Sequence, residues 1–325
     1  MQPHIAFITP MAAPTIEVIR HLKPKAFTIA FAQTNEQAEH LEMARCADVL
    51  MAAGTFVNAE MIAQAPRLKM IQKWGIGVDK IDLDAAKRAG VTVAITAGGT
   101  SIPVSEHTLM LILATSRRLP LAHRSLQEGK WIGSELRTVC AKLDGKTVGL
   151  FGFGNIARFV AKRLSGFDVN ILYHSRTRLD PALEQQFNVR YVDFDTLLSQ
   201  SDILSLHAPL TEQTKHLFNA HTFNKMKRGA MLINTARGEL IDESALVNAL
   251  RSGQLSSAGL DTFEGEPPRA DHPLLHMDQV VATPHSAGGV YDNVPHIVEH
   301  MFRNIERYFN NQALDAADLI VAPSR

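Results

Sequence analysis

The sequence has few cysteines and no excess of either charge, and each scarcity argues against a class of protein. Its 325 residues include two cysteines, Cys46 and Cys140, too few to indicate a disulfide-built secreted scaffold. We expect two reduced and mostly buried thiols, as in cytosolic proteins. Lysine plus arginine and aspartate plus glutamate both number 33, so the formal net charge is zero. A neutral chain lacks a global field for nucleic acid or an anionic membrane, which favours a small-molecule partner.

Long hydrophobic runs are also missing. The longest, Leu109–Ala114, is far shorter than the ~18 residues of a membrane span. The N-terminus lacks the basic region and long apolar region of a signal peptide, and Ile5–Ile8 is typical of a first strand instead. We therefore expect a cytoplasmic protein without membrane contact. At roughly 150 residues per domain, the chain is long enough for two domains.

Short apolar runs alternate with helical patterns along most of the chain. In the first part, the predicted strands are Ile5–Ile8, Phe27–Phe31, Val49–Ala52, Met70–Lys73 and Val91–Ile95. The alternation then starts afresh, with predicted strands at Thr147–Phe151, Asn170–Tyr173, Ile203–Leu206, Met231–Asn234, Ser257–Leu260 and Val280–Ala282. Such alternation is typical of βαβ units. The sequence therefore predicts an α/β fold with two doubly wound parallel-sheet domains.

The stretch between the two alternating regions is predicted to be helical from Val104 to about Arg118. It is apolar on most sides, and a helix of that kind must be buried. It would cross between the domains or pack against a second subunit. We expect a loop-rich arm after it, from Pro120 to Asp144.

The last predicted helix, Val294–Tyr308, follows the final strand of the second region. Because no strand is left for it to serve there, we expect it to return to the first domain. The chain would then cross twice between the domains, near the glycine pairs Gly98–Gly99 and Gly288–Gly289, which suit a hinge. This predicts a discontinuous domain of residues 1–98 and 290–325 and a continuous domain of residues 99–289.

A glycine-rich turn follows the strand Thr147–Phe151. It has the form G-x-G-x-x-A, in which Gly152 permits a tight turn, Gly154 lets a pyrophosphate approach the backbone, and Ala157 keeps the next helix close to the sheet. The helix N-terminus offers free N–H groups to the pyrophosphate. A purely structural turn is the alternative, but the strand before and the helix after favour a dinucleotide.

The ribose of that dinucleotide is expected at the end of the next strand, ~20 residues further on. An acid there would accept the 2′-hydroxyl of NAD, but the first acid is Asp180, which is too far along. The strand runs instead into Ser175, Arg176 and Thr177, a set that suits the 2′-phosphate of NADP. We predict NADP as the preferred cofactor, with NAD, bound beside a solvated basic turn, as the alternative.

Three later strands each end in a charged or ionisable side chain. These are Arg237 after Met231–Asn234, Glu266 in the loop after Ser257–Leu260, and His285 after Val280–Ala282. In open α/β sheets, ligands bind outside the carboxyl ends of the strands. Each residue alone would be an ordinary surface residue, but the three in this order predict a catalytic site beside the cofactor.

These motifs, taken together, resemble those of the D-isomer-specific 2-hydroxyacid dehydrogenase family. They cover nearly the whole chain in the family's order and spacing: Gly75–Asp79, Val104–Thr108, Gly152–Ala157, His207–Thr211, Asn234–Gly238, Asp261–Pro267 and Thr283–His285. The resemblance implies a Rossmann cofactor domain, a flavodoxin-like substrate domain and NAD(P)-dependent chemistry on the CH–OH group of a D-2-hydroxy acid. It also implies a homodimer formed through the long helix and the arm.

The resemblance assigns roles to the site residues. It implies that Arg237 binds the substrate carboxylate and carbonyl, that His285 transfers the proton, and that Glu266 forms a hydrogen bond with His285. The chemistry agrees, because reduction of a ketone leaves an alkoxide that needs a proton, and a carboxylate partner favours the imidazolium and orients it. A guanidinium fork suits a carboxylate.

Cofactor and substrate contacts complete the predicted site. The predicted cofactor-binding residues are Thr108, Gly152, Gly154, Asn155, Ile156, Ser175, Arg176, Thr177, His207, Pro209, Thr214, Thr235, Ala236, Asp261 and Gly288. The predicted substrate residues are Lys73, Trp74, Ile76, Gly77 and Thr100, with the backbone N–H groups around Ile76 and Gly77 binding the carboxylate. No metal site is predicted: His272 and His276 are four residues apart, but Pro273 interrupts any helix there.

Two departures from the family pattern bear on specificity. Thr100 and Ile95 stand where asparagines are common in the family, which affects polar contacts near the nicotinamide.

Glu266 occupies the acid position at which formate dehydrogenases carry glutamine, so formate oxidation is not expected. Lys73 precedes the Gly75–Ile76–Gly77 loop and either meets a phosphate or second carboxylate, as in phosphoglycerate dehydrogenases, or is a surface lysine.

We therefore predict a glyoxylate/hydroxypyruvate reductase-like enzyme acting on a small 2-keto acid. One alternative is a phosphoglycerate dehydrogenase-like enzyme acting on a phosphorylated or dianionic 2-hydroxy acid. A different class of function is a nucleotide-sensing corepressor, which would keep the same three residues. Corepressors of this family usually carry additional tails, and residues 313–325 are expected to form only a short extension.

Overall fold

The computed structural model describes residues 2–322 and divides the chain into two compact units. The first unit comprises the chain up to Thr100 together with the segment from Gly289 onward, and the second unit is Ser101–Gly288. Each unit is an α/β domain with its own sheet, as the sequence predicts. The assignment of substrate to one unit and cofactor to the other remains a prediction at this point.

The strands, in chain order, are β1 (His4–Phe7), β2 (Thr28–Phe31), β3 (Val49–Ala52), β4 (Met70–Lys73), β5 (Thr92–Ala94), β6 (Thr147–Phe151), β7 (Asn170–His174), β8 (Arg190–Tyr191), β9 (Ile203–Leu206), β10 (Ala230–Asn234), β11 (Leu255–Leu260), β12 (Val280–Ala282) and β13 (Leu319–Val321). The helices are α1 (Ala13–Leu22), α2 (Gln37–Cys46), α3 (Ala59–Ala63), α4 (Leu83–Arg88), α5 (Ser101–Ser116), α6 (Leu119–Gln127), α7 (Gly133–Leu136), α8 (Asn155–Leu164), α9 (Pro181–Phe187), α10 (Phe194–Gln200), α11 (Ala220–Lys225), α12 (Glu243–Arg251) and α13 (Val294–Phe309).

The first unit has a sheet with the strand order β13-β5-β4-β3-β1-β2. Strands β1 to β5 run parallel, and β3 and β4 are buried along their whole length, as expected for strands with helices on both faces. Strand β13 pairs with β5 in the antiparallel sense, which the sequence analysis did not predict. Helix α13 packs against α1 and β4 in this unit.

The second unit has a sheet with the strand order β12-β11-β10-β9-β6-β7-β8, and all of its pairings are parallel. The chain begins this sheet in the middle, at β6, proceeds outward to β8, and returns to β9 on the other side. The strand order therefore reverses between β6 and β9, which is the switch point where open α/β sheets bind ligands. Strand β8 is missing from the sequence prediction because two residues give no periodic signal.

Helix α5 is buried at ten of its sixteen positions, which confirms the prediction of a buried helix. It packs so closely on β11 that a Cβ atom at Gly259 would lie 2.8 Å from Thr115 Oγ1. The prediction of a loop-rich arm is wrong in part, because α6 and α7 occupy much of it. Pro120, where the predicted arm begins, stands in the first turn of α6, where proline is tolerated.

Two further expectations concern the thiols and the membrane. Cys46 is exposed and Cys140 is half-buried, so the expectation of mostly buried thiols is wrong, although both are free cysteines. Within residues 2–322, none of the helices combines the length and the apolar character needed to cross a membrane.

Candidate active site

The glycine-rich turn links β6 to α8. Gly152 has a φ of +87°, and a Cβ atom there would lie 2.7 Å from the backbone nitrogen of Ala208, so only glycine fits. At Gly154, which precedes α8, a Cβ atom would meet no atom within 4 Å. No side chain caps the N-terminus of α8. The turn therefore offers open space and uncapped N–H groups, a cradle that fits a pyrophosphate.

The turn after β7 follows the last strand residue, His174. The Ser175 hydroxyl donates to the carbonyl oxygen of Thr177 at 2.6 Å. The guanidinium of Arg178 donates two hydrogen bonds to the Glu184 carboxylate, at 2.8 and 3.0 Å. Arg176 is exposed, and its side chain makes no hydrogen bond or ion pair with any residue in the described part of the chain. Of these two arginines, Arg176 is the one available to an anion.

The loop after β9 carries His207, Pro209 and Thr214. The backbone N–H of His207 donates to the carbonyl oxygen of Phe151 at 2.7 Å, which ties this loop to the end of β6. Burial lowers the pKa of His207 to about 3, so its imidazole is neutral at physiological pH. The Thr214 hydroxyl donates to the carbonyl oxygen of Pro209 at 2.8 Å and accepts from the N–H of Thr211 at 2.8 Å, which closes the loop.

The turn after β10 positions Arg237, and the fully buried side chain of Asn234 holds it. The Asn234 amide donates to the carbonyl oxygen of Arg237 at 2.8 Å and accepts from the N–H of Ala236 at 3.0 Å. The Arg237 guanidinium donates to the carbonyl oxygen of Ala236 at 2.7 Å. The hydroxyls of Thr108 and Thr235 share a hydrogen bond of 2.9 Å, so these two predicted cofactor residues are brought together.

The loops after β10 and β11 meet at Gly238. A Cβ atom on this residue would lie 1.9 Å from the carbonyl carbon of Phe263 and 2.3 Å from the nitrogen of Glu264. Glycine is therefore required, because any side chain would push the two backbones apart. The contact joins the turn that carries Arg237 to the loop that carries Glu266.

Glu266 and His285 are brought into direct contact. Their hydrogen bond joins Glu266 Oε2 to His285 Nδ1 at 2.7 Å, with the imidazole about half exposed and the carboxylate about one quarter exposed. The other oxygen of Glu266 accepts the backbone N–H of Phe263 at 3.2 Å. His285 has a φ of +49°, a conformation that non-glycine residues rarely adopt outside turns and functional sites.

Asp261 holds the backbone around His285. Its carboxylate, which has no solvent exposure, accepts from the Thr283 hydroxyl at 2.6 Å and from the N–H groups of Ser286 and Ala287, each at 2.9 Å. Burial alone would raise the pKa of Asp261, but the hydrogen bonds from His107, Thr283 and the two N–H groups bring it below its ordinary value. Asp261 was predicted to bind the cofactor, and that role remains a prediction beside this anchoring one.

The predicted substrate residues follow β4 in the first unit. Lys73 is 9% exposed, and its ammonium group donates to the carbonyl oxygens of Ala53 and, at 3.1 Å, Trp74. The surface-lysine alternative is therefore wrong. Trp74 stacks on Phe7 with ring centroids 6.0 Å apart, Ile76 is exposed, and Gly77 and Thr100 are half-buried. Gly75, with a φ of +91°, makes the turn that presents this loop.

Three residues near the site had no predicted role. Asn234 and His107 lie inside recognised motifs, but no side-chain contact was predicted for either; Asn234 bonds its own turn, and His107 Nε2 lies 2.9 Å from the Thr283 hydroxyl oxygen. Glu243, in the first turn of α12, accepts the N–H of Glu264 at 3.0 Å and bonds His272 at 2.9 Å. The partner of His276 is the carbonyl oxygen of Ala270, and residues 2–322 contain no cluster of side chains suited to a metal.

Comparison with known proteins places the chain in a family. The sequence model of the D-isomer specific 2-hydroxyacid dehydrogenase, NAD binding domain, matches residues 109–287, more than half of the chain. A hydroxypyruvate reductase from Thermotoga maritima is 44% identical over 259 residues, which are 78% of this chain and 82% of that protein. The chain belongs to the D-isomer specific 2-hydroxyacid dehydrogenase family, and its second unit contains the nicotinamide-cofactor-binding domain. The family predicted from the motifs is thereby confirmed.

Two other relatives show how broad the family is. A D-3-phosphoglycerate dehydrogenase from Archaeoglobus fulgidus is 41% identical over 243 residues, 74% of this chain but only 45% of that longer protein. A formate dehydrogenase from Staphylococcus aureus, solved with NAD, matches with a TM-score of 0.89 at 30% identity over 99% of this chain and 100% of that one. The predicted fold class of two parallel-sheet domains, one with a Rossmann fold, is confirmed.

Proposed function

We propose that the protein is an NAD(P)-dependent D-2-hydroxyacid dehydrogenase that reduces a small 2-keto acid, with glyoxylate and hydroxypyruvate as expected acceptors. The observation that carries the proposal is the 2.7 Å hydrogen bond between Glu266 and His285 at the carboxyl edge of a sheet whose first turn is G-x-G-x-x-A. The buried carboxylate of Asp261 holds the backbone next to His285. Such support fits a pair that transfers a proton, because proton transfer requires a fixed distance between donor and acceptor.

Each side chain has a distinct task in this reaction. A reduced nicotinamide, when bound, supplies a hydride to the carbonyl carbon of the substrate. Arg237 binds the substrate carboxylate with its guanidinium fork and polarises the neighbouring carbonyl. Glu266 accepts from Nδ1 of His285 and leaves Nε2 to give its proton to the oxygen of the new alcohol.

The cofactor proposal is a preference for NADP. Arg176 supports it, because this exposed guanidinium stands at the end of β7 while the neighbouring Arg178 is bonded to Glu184. A 2′-phosphate would find in Arg176 a donor of matching geometry. NAD remains the alternative cofactor.

The substrate proposal is a small monoanionic acid. Lys73 was the residue proposed to meet a phosphate or second carboxylate, and its ammonium group already donates to two backbone carbonyl oxygens in a buried position. This supports the reductase over the phosphoglycerate dehydrogenase alternative. Glu266, where formate dehydrogenases are expected to carry glutamine, supports it over formate oxidation.

The assembly proposal is a homodimer formed through the long helix α5 and the arm after it. The residues that support it are exposed apolar side chains of residues 119–139: Leu119, Leu126, Trp131 and Val139. Trp131 is 86% exposed, and tryptophan is enriched at protein–protein interfaces. A mass twice that of the monomer in light scattering is expected, and a monomer at micromolar concentration would overturn the proposal.

The free thiols of Cys46 and Cys140 support a cytoplasmic location.

The experiment that tests the function is a panel of kcat/KM values for NADPH and NADH with glyoxylate, hydroxypyruvate and phosphohydroxypyruvate. We expect the highest value for NADPH with one of the two small acids. A preference for phosphohydroxypyruvate would replace the proposal with its phosphoglycerate alternative. Uniformly slow turnover of every acceptor, with tight binding of the nucleotide, would favour the corepressor alternative.

A further inference from the structure

The loop that carries Glu266 is held by two carboxylates on consecutive backbone N–H groups. Glu266 itself accepts the N–H of Phe263 at 3.2 Å, and Glu243, from the first turn of α12, accepts the N–H of Glu264 at 3.0 Å. Gly265, with a φ of +74°, stands between Glu264 and Glu266. A glycine permits many loop conformations, so the bond at Glu264 restricts the direction in which Glu266 leaves the loop.

Glu243 is itself fixed from both sides. Its second oxygen bonds Nε2 of His272 at 2.9 Å, and both side chains are at least four-fifths buried. The ring of Phe263 meets the edge of the His272 ring with centroids 6.1 Å apart. Asp242 already caps α12 through the N–H of Ala245, so the helix does not depend on Glu243 for its cap.

We propose that Glu243 is a positioning residue for the proton-transfer pair, acting through the backbone at Glu264. The inference rests on the proposed function, since it assigns a task to the contact between Glu266 and His285. If the Glu266 carboxylate moved by about 1 Å, its hydrogen bond to the His285 imidazole would be lost, and a misplacement of that size lowers the rate about 10²-fold. The carboxylate of Glu243 bonds the N–H of Glu264 and the ring of His272, so its effect on Glu266 would pass through the backbone of the loop.

The substitution Glu243→Gln tests the proposal with little change in shape. The oxygen of the new amide can accept from either the N–H of Glu264 or Nε2 of His272, but the NH₂ group then faces the other partner, which is also a donor. His272 escapes this conflict only by moving its proton to Nδ1, a buried atom that has no hydrogen-bond partner within the described residues. The variant therefore keeps its volume and its helix cap but loses or distorts one of the two hydrogen bonds by which Glu243 joins the loop to His272.

The experiment measures kcat and KM for glyoxylate with NADPH, across pH, for Glu243→Gln, Glu266→Gln and the double variant. We expect Glu243→Gln to lower kcat about tenfold, to leave the KM for NADPH unchanged, and to shift the pH profile of kcat. In the Glu266→Gln background, we expect no further loss, because the residue being positioned is already disabled. His272→Gln, which keeps a donor for Glu243, should retain more activity than His272→Ala.

Controls separate folding from positioning. Asp84→Asn, an exposed first-turn acid of α4, should leave kcat and the pH profile unchanged. If Glu243→Gln does not fold, as judged by its melting temperature, the pair His272→Gln and His272→Ala gives the same comparison. Full multiplication of the two losses in the double variant would overturn the positioning role. Full activity of Glu266→Gln alone would instead overturn the proposed function.

Discussion

The two ends of the carboxyl edge of the second unit hold the side chains proposed for its site in opposite ways. After β10, β11 and β12, the loops are anchored by Asn234 and Asp261, both without solvent exposure, and their acceptor atoms bind neighbouring backbone N–H groups. After β7, the Ser175–Thr177 turn is closed by one short hydrogen bond of its own, and Arg176 extends into solvent. The loops after β10, β11 and β12 are therefore held by buried side chains, whereas the side chain of Arg176 after β7 is exposed.

This difference follows the tasks proposed for each end. Proton transfer requires heavy atoms within hydrogen-bond distance, so the pair that performs it needs anchors that do not yield. Recognition of a phosphate by a long guanidinium side chain tolerates small shifts, because the side chain adjusts to the anion. Substitutions of the buried side chains should therefore change rate and stability together, while those at Arg176 should change the affinity for one cofactor.

The largest effect is expected from Asp261→Asn. An amide cannot accept from the Thr283 hydroxyl and from both N–H groups of Ser286 and Ala287, so the backbone around His285 would relax from its strained conformation. We expect kcat to fall about 10²-fold and the melting temperature to drop. The measurement is steady-state kinetics beside thermal unfolding, with Asp84→Asn as the control. A stable variant with unchanged kcat would show that this end needs no anchor.

A smaller and more selective effect is expected from Arg176→Ala. Loss of a charge-assisted contact to a 2′-phosphate should raise the dissociation constant of NADPH about 10-fold to 100-fold and leave that of NADH unchanged. Titration calorimetry with both nucleotides measures it. Arg178→Ala is the matched control, because that guanidinium is bonded to Glu184. Equal weakening of both nucleotides, or no weakening of NADPH, would remove the cofactor preference from the proposal.

The smallest effect is expected in the pH dependence of stability and comes from His207. Burial lowers its folded pKa to about 3, whereas an unfolded histidine titrates near pH 6.5. The unfolded chain therefore binds more protons between these values, and the stabilisation present above pH 6.5 is lost as the pH falls toward 3. His207→Gln should give a flatter dependence of the unfolding free energy between pH 7 and pH 5. His221→Gln, at an exposed position in α11, should keep the original slope; an unchanged slope in His207→Gln would refute the prediction.

The sequence was sufficient to predict the parts of the molecule whose signal is local. The buried strands are short apolar runs, the G-x-G-x-x-A turn follows one of them directly, and Glu266 and His285 stand at strand ends in the family's motifs. Strand β8 has two residues and β13 is a short edge strand, so neither carries enough periodicity to be recognised. Helix α6 lies in the stretch predicted as a loop-rich arm, and Pro120 stands in its first turn, where proline is compatible with a helix.

Asn234 and Glu243, which hold the loops, were not predicted, for two different reasons. Asn234 makes local bonds to residues two and three positions further on, a pattern that asparagine often forms, and its place directly before Thr235–Gly238 was a signal that the prediction did not use. Glu243 follows Asp242 at the start of α12, where acids are ordinary, and nothing local indicates the loop 21 residues further along the chain that it holds. The role of Glu243 therefore comes from tertiary packing, which no local pattern encodes.

The backbone contact at Gly238 has a consequence for anyone who wishes to redesign this enzyme. At Gly238, the turn of residues 236–240 lies directly against the main chain of Phe263 and Glu264 in the loop of residues 261–267, and position 238 has no side chain to absorb a mismatch. A loop taken from a relative and grafted at one segment alone would carry the wrong curvature for the other. Recombination between relatives should therefore exchange both segments together, and libraries that vary either segment should keep glycine at position 238.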